Sequence, residues 1–202
     1  MRRILLTLLL AVTTLTLSAE FRWGPTVGVN VSTLSWKQDL VETHCLPGAT
    51  AGLQGELMSP GIGFGIGVGL QYQMNSTSVN FGERPVWSTD GFGKESLRFH
   101  TLQIPLQLRF KYTRLQGLET TIAPFAFAGP TFSFNLGCSN GKMLDLPAGT
   151  VDIQVGAGAE LIQHLQIFGG YYWGVSYQCV TVKLDNFSAR PQGWFVGAAW
   201  LF

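Results

Sequence analysis

The sequence predicts an all-β fold: an eight-stranded antiparallel up-and-down transmembrane β-barrel after an N-terminal signal peptide. Three observations carry that prediction. Charged residues make up only 12% of the 202-residue chain, where a soluble domain has about 25%. Glycine is abundant, at 25 residues, and aromatic residues reach 12%, yet no apolar run beyond the N-terminal segment attains the ~20 residues of a membrane-spanning helix. Instead, apolar residues alternate with glycines, amides and hydroxyls at period two in one stretch after another, which gives each strand an oily face and a polar face. Strand edges cannot be left open in hydrocarbon, so such a sheet must close on itself.

Taken in order, Met1-Arg2-Arg3 supplies a positive start, Ile4 to Leu17 an apolar run broken only by Thr, and Leu17-Ser18-Ala19 a small-residue cleavage site. Residues 1–19 therefore read as a signal peptide and residues 20–202 as the barrel domain. In the first strand Val27, Val29 and Val31 alternate with Thr26, Gly28, Asn30 and Ser32, and in the second Ala49, Ala51, Leu53 and Leu57 with Thr50, Gly52, Gln54 and Glu56. The third is the clearest, with Phe64, Ile66, Val68, Leu70, Tyr72 and Met74 opposite Gly63, Gly65, Gly67, Gly69, Gln71 and Gln73. Glycine on an inner face leaves room for neighbouring inward side chains in a narrow barrel. The fourth sets Leu102, Ile104, Leu106, Leu108, Phe110 and Tyr112 against Gln103, Pro105, Gln107, Arg109 and Lys111.

The fifth strand, Ile122 to Leu136, is expected to slip in phase at Gly129-Pro130, because Phe125 and Phe127 lead before it and Phe132, Phe134 and Leu136 after it. The sixth places Val151, Ile153, Val155, Ala157, Ala159 and Leu161 away from Asp152, Gln154, Gly156, Gly158 and Glu160. In the seventh, Leu165, Ile167, Tyr171, Trp173, Val175 and Tyr177 oppose Gln166, Gly170, Gly174, Ser176 and Gln178. The eighth ends the chain, with Trp194, Val196, Ala198, Trp200 and Phe202 on one face and Phe195, Gly197, Ala199 and Leu201 on the other. Connections alternate in length. Ser59–Ile62, Thr113–Glu119 and Gln163-His164 are short, whereas Thr33–Pro47, Asn75–Glu95, Cys138–Thr150 and Cys179–Gln192 are long and polar. Short periplasmic turns alternating with longer outer loops suit a barrel in the bacterial outer membrane with both termini in the periplasm.

The motifs Val27-Gly-Val-Asn-Val-Ser-Thr33, Leu102-Gln-Ile-Pro-Leu106, Ala126-Phe-Ala-Gly-Pro130 and Val155-Gly-Ala-Gly-Ala-Glu160, in this order and spacing, give the chain a layout that resembles the PorT-like outer-membrane β-barrel family common in Bacteroidota. The resemblance covers nearly the whole mature chain. It implies an eight-stranded outer-membrane barrel and no single activity, one branch serving in protein secretion. The ending also resembles the C-terminal strand of bacterial outer-membrane barrels, which implies that Phe202 is the assembly signal read by the barrel assembly machinery.

Five charged residues, Arg22, Glu56, Arg109, Lys111 and Glu160, fall on inward positions near the turn-side ends of their strands. Their depths match, so they are expected to form one buried network in which Glu56 or Glu160 pairs with Arg109. Charges in a low-dielectric lumen must pair, and eight strands leave room for side chains but little for a channel, so the network reads as a structural plug rather than a gate or proton path. Cys45, Cys138 and Cys179 map to outer loops or strand ends. An oxidising compartment permits one disulfide and leaves one thiol over; Cys45 with Cys179 and Cys138 with Cys179 both stay open.

Trp23, Tyr72, Tyr112, Trp173, Trp194 and Trp200 read as interface girdles on the lipid face, and Trp36 and Trp87 in the outer loops as residues for partner contact. His164 lies at a periplasmic turn, away from His44 and His100, so the three cannot make one site. Ser96, Glu95 and His100 at the outer rim lack a partner set for surface catalysis, and no nucleophile elbow, phosphate loop or dinucleotide fingerprint follows a strand and opens a helix. Without Arg2 and Arg3 the 13 basic residues fall to 11 against 12 acidic, which gives no basic footprint for nucleic acid. The expected function is a non-enzymatic barrel without cofactor or metal, embedded in the lipid bilayer, with a structural or interaction role through its outer loops, where a protein partner would bind. The alternatives are a component of a secretion apparatus and a membrane-embedded surface enzyme.

Overall fold

The computed structural model describes residues 20–37, 42–59, 63–80, 94–112, 121–139, 144–181 and 188–202. The segment read as a signal peptide and the loop residue Trp87 lie outside the described residues. The strands are β1 (Glu20–Trp36), β2 (Glu42–Met58), β3 (Phe64–Asn80), β4 (Lys94–Lys111), β5 (Ile122–Ser139), β6 (Leu144–Asp145), β7 (Gly149–Leu161), β8 (Leu165–Gly174), β9 (Cys179–Thr181) and β10 (Ser188–Trp200). Eight of them form an antiparallel barrel in the order β1-β2-β3-β4-β5-β7-β8-β10, and β10 pairs with β1 to close it. The two short strands extend the sheet at one end, β9 beside β10 and β6 beside β9.

Closure is staggered. One row of partners runs from Glu20 through Met58, Gly65, Arg109, Phe127, Gly156, Gly170 and Phe195 back to Asn30, ten residues further along β1. A stagger of this kind tilts the strands against the barrel axis and fixes a bore that side chains can fill. The alternation then sorts the residues. Val29, Leu108 and Trp194 are 62%, 62% and 66% exposed on the outer face, while Thr26, Gln54, Gln73, Gln103, Gln107 and Ser133 are buried inside. All six residues read as girdle aromatics, from Trp23 to Trp200, are exposed on the outer face.

β5 departs from expectation. Gly129 and Pro130 pair in unbroken register with Gln154 and Ile153 of β7, and the irregularity lies higher, where Leu136 is skipped between the pairs Thr101–Asn135 and His100–Gly137. With no slip, Phe125 and Phe127 point inward and are 4% and 3% exposed. The outer face there belongs to Pro124, Ala126 and Ala128, smaller residues that the bulk of the two phenylalanines obscured in the sequence. Space for the rings comes from the opposite strand: a Cβ on Gly156 would overlap Phe127, and one on Gly158 would come within 2.7 Å of Phe125.

The strands also outrun the hydrophobic alternation. β1 continues to Trp36, β2 starts at Glu42, β3 reaches Asn80 and β4 starts at Lys94, all within stretches expected to be loop. Backbone pairing does not require an apolar outer face once a strand has left the lipid, so the sheet continues where the alternation stops. The expected turn at Gln163-His164 is present, with Ile162 and Gln163 both at positive φ and the His164 N–H donating to the Leu161 carbonyl at 3.2 Å.

Candidate functional site

The interior of the barrel is stacked in three layers, of which the first is charged. The structure brings Arg22, Glu56, Arg109, Lys111 and Glu160 together at the end that holds Glu20 and Phe202. Arg22 bonds Glu56 directly and donates to Glu160 Oε2 at 2.8 Å; Lys111 Nζ donates to Glu56 Oε1 at 2.8 Å and to Glu160 Oε2 at 2.5 Å. Arg109 Nη1 reaches Glu56 Oε2 at 3.1 Å, so of the two carboxylates open to it Arg109 pairs with Glu56. Arg22 continues to the Gln163 carbonyl at 2.6 Å, tying the network to the turn before β8.

Three glutamines complete the layer, and sequence reasoning gave them no role. Gln166 donates to Glu56 at 2.9 Å and Glu160 at 2.8 Å and accepts from Arg109 at 3.0 Å. Gln107 accepts from two Arg109 nitrogens, at 2.9 and 3.2 Å. Gln54, with its amide oxygen turned toward Arg109, accepts at 2.8 and 3.1 Å. The Arg109 guanidinium also lies 5.6 and 5.9 Å from the ring centroids of Phe125 and Phe127, an arrangement that adds cation–π attraction. Glu56, fully buried, thus has its carboxylate bonds satisfied, which a buried charge requires.

The middle layer is neutral apart from Asp152. Asn75 accepts from Asn30, from Gln73 at 2.6 Å and from the Tyr172 hydroxyl at 3.5 Å, and Ser32 donates to the Ser76 carbonyl at 3.1 Å. Between this belt and the charged layer lies a cavity of about 40 Å³ bordered by Gln103, Thr131, Asp152, Gln154 and Phe168, among others. The third layer, at the far end, is apolar: Leu34, Val79, Leu97, Phe99, Cys179 and Ala189 are buried against one another, with Trp36, Cys138 and Leu146 packed on them. No signal in the sequence marked this cap, because its members lie beyond the alternating stretches, with Leu34, Val79, Leu97, Phe99 and Ala189 on strand ends that outrun the alternation.

The three thiols are free. Cys138 packs against the cluster that buries Cys179, while Cys45 is exposed on β2 outside that cluster, so Cys138 and Cys179 are the two that the fold gathers. Burial pushes the Cys179 thiol up to about 12, and the nearby Cys138 adds to the rise. At the rim, His100 Nδ1 shares a 2.6 Å hydrogen bond with the Tyr72 hydroxyl, and at the opposite end His164 Nδ1 bonds the Leu201 carbonyl at 2.9 Å and stacks on Trp200. Phe202 is held by its N–H, which donates to the Trp23 carbonyl at 2.9 Å.

A closed barrel of eight antiparallel strands, oily outside and filled with bonded polar side chains inside, defines an integral outer-membrane protein of the small β-barrel class. The chain belongs to the outer membrane protein beta-barrel domain family, whose sequence model matches residues 16–177. Among solved structures it is similar to the outer membrane protein OprG of Pseudomonas aeruginosa, with a TM-score of 0.53 at 10% identity over 92% of this chain and 96% of that one. Neisserial surface protein A aligns with a TM-score of 0.48 at 11% identity, and the attachment invasion locus protein Ail of Yersinia pestis with 0.44 at 12%; each alignment covers 91% of this chain and 99% of the other. At such identities the likeness to OprG bears on the fold alone. None of the curated proteins compared matches this sequence.

Proposed function

We propose that this outer-membrane barrel is a non-enzymatic interaction protein, with its termini in the periplasm and its working surface on the opposite, outer rim. The observation that carries the reading is the length of the strands. A transmembrane strand needs about 9–11 residues, and β1 to β5 have 17 or 18. The start of β1, the end of the chain and the 162–164 turn lie together at the charged end, where Phe202 N–H meets the Trp23 carbonyl and Leu201 N–H the His164 carbonyl, both at 2.9 Å, so the surplus projects from the other end as a stiff, sheet-built collar. A filled lumen offers no route for solutes, and a rigid collar presents side chains such as His44, Arg98 and Arg190 at fixed spacing for a protein partner.

Photo-crosslinking residues placed at His44, Arg98 or Arg190 in native membranes test this reading. Discrete protein adducts are expected from these positions and not from Val29 on the lipid face; adducts at neither set would count against the interaction role. A place in a protein secretion apparatus, which the PorT-like motifs favour, would give adducts with periplasmic or outer-membrane secretion components in the same experiment. Phe202 is the assembly signal in this reading, and its removal is expected to lower the amount of barrel inserted in cells.

A further inference from the structure

The cavity above the charged layer is bordered by a carboxylate that no described cation bonds. Asp152 is 4% exposed, and its Oδ2 accepts from Ser133 Oγ at 3.0 Å, while its Oδ1 is buried without a hydrogen-bond partner. The hydroxyl of Thr131, directly across the β5–β7 ladder from Asp152 and also 4% exposed, is buried without a partner as well. Both residues border the same cavity. Among the described residues the lumen cations are engaged elsewhere: Arg22, Arg109 and Lys111 are bonded to Glu56 and Glu160, and none of them bonds Asp152.

A buried carboxylate needs a counter-charge, and the lining supplies oxygen ligands for one. Gln73 and Gln103 give their amide nitrogens to Asn75 and Ser133, which leaves their carbonyl oxygens as the ends suited to a cation. One carboxylate with hydroxyl and amide oxygens is a donor set for a monovalent ion, since divalent ions recruit several carboxylates or keep most of their water. About 40 Å³ accommodates a sodium ion with one or two waters, at about 10–15 Å³ per occupant, and such a water gives the unpartnered Gln154 Nε2 an acceptor. We infer that the lumen contains a monovalent-cation site centred on Asp152 and Thr131, with sodium as the fitting ion.

Thermal melting of the purified, detergent-solubilised barrel at constant ionic strength, in sodium chloride or in N-methyl-D-glucamine chloride, tests the site. Melting temperature is expected to rise with sodium and saturate; Asp152→Asn should lose the response, and Thr131→Val should weaken the apparent sodium affinity by roughly tenfold. Sodium-23 relaxation measured on the folded protein gives a second readout if Asp152→Asn fails to fold, with Thr131→Val as its comparison. A melting temperature that follows pH but not the cation would mean that a proton neutralises Asp152. One that follows neither would mean that waters alone fill the cavity. Either result, or a sodium response retained in Asp152→Asn, overturns the inference.

Discussion

Glu56 binds three cations and a glutamine amide with two oxygens, so replacing it strands more charge than any other single change in the lumen. Glu56→Gln is expected to lower the unfolding free energy by about 3–5 kcal/mol, the cost of breaking a buried ion pair by removing one member, measured by urea titration in lipid vesicles. Adding Lys111→Met should recover part of the loss, because the second change removes the charge the first left unpaired. The cysteines give a separate prediction. Cys45 should be alkylated in the folded barrel at about pH 8, whereas Cys179, buried and held as the thiol, should react only after unfolding; mass mapping of the modified chain distinguishes them. The five charges were legible in the sequence because period two assigns a face and distance from a turn assigns a depth. Gln54, Gln107 and Gln166 were not, since a neutral amide on an inward position reads the same whether it bridges a network or only lines the bore.

Among the elements, β7 shows how inward glycines select their partners. Gly156 and Gly158 leave vacant volume that Phe127 and Phe125 of β5 enter, so large and small residues alternate around this part of the barrel and the bore beside the charged layer is filled. Gly156→Val should therefore push Phe127 out of its rotamer and off Arg109, at a cost of about 1–3 kcal/mol or more for overpacking, visible as a lower midpoint in the same urea titration and as altered near-ultraviolet dichroism. Strands β1 to β4 and β10 follow the period-two reading closely because lipid on one side and packed polar groups on the other act on every residue. β5 does not, because phenylalanine satisfies an oily outer face and a glycine-lined interior equally well, and only the partner strand decides between them.

For the molecule as a whole, three layers occupy the lumen: salt bridges at one end, an amide and hydroxyl belt with its cavity, and an apolar cap at the other. The purified barrel is expected to show no sustained large conductance in planar bilayers, since open aqueous channels require about 16–18 strands; stable large steps from homogeneous protein would contradict the packed interior. Closure itself was legible, because an oily sheet in a membrane has no other way to hide its edges, whereas the cap and the collar were not, lying where alternation ends. The seam between β1 and β10 also sets an order of events. It joins Thr26 to Ala199 and Trp36 to Ala189, segments separated by most of the chain, and contacts of that separation form slowly. Until β10 docks, β8 and β1 both have a bare edge, the lumen is open along one side, and Glu56 and Glu160 stay hydrated. Dehydration of the charges is thereby coupled to docking of the last strand, which completes the wall around them.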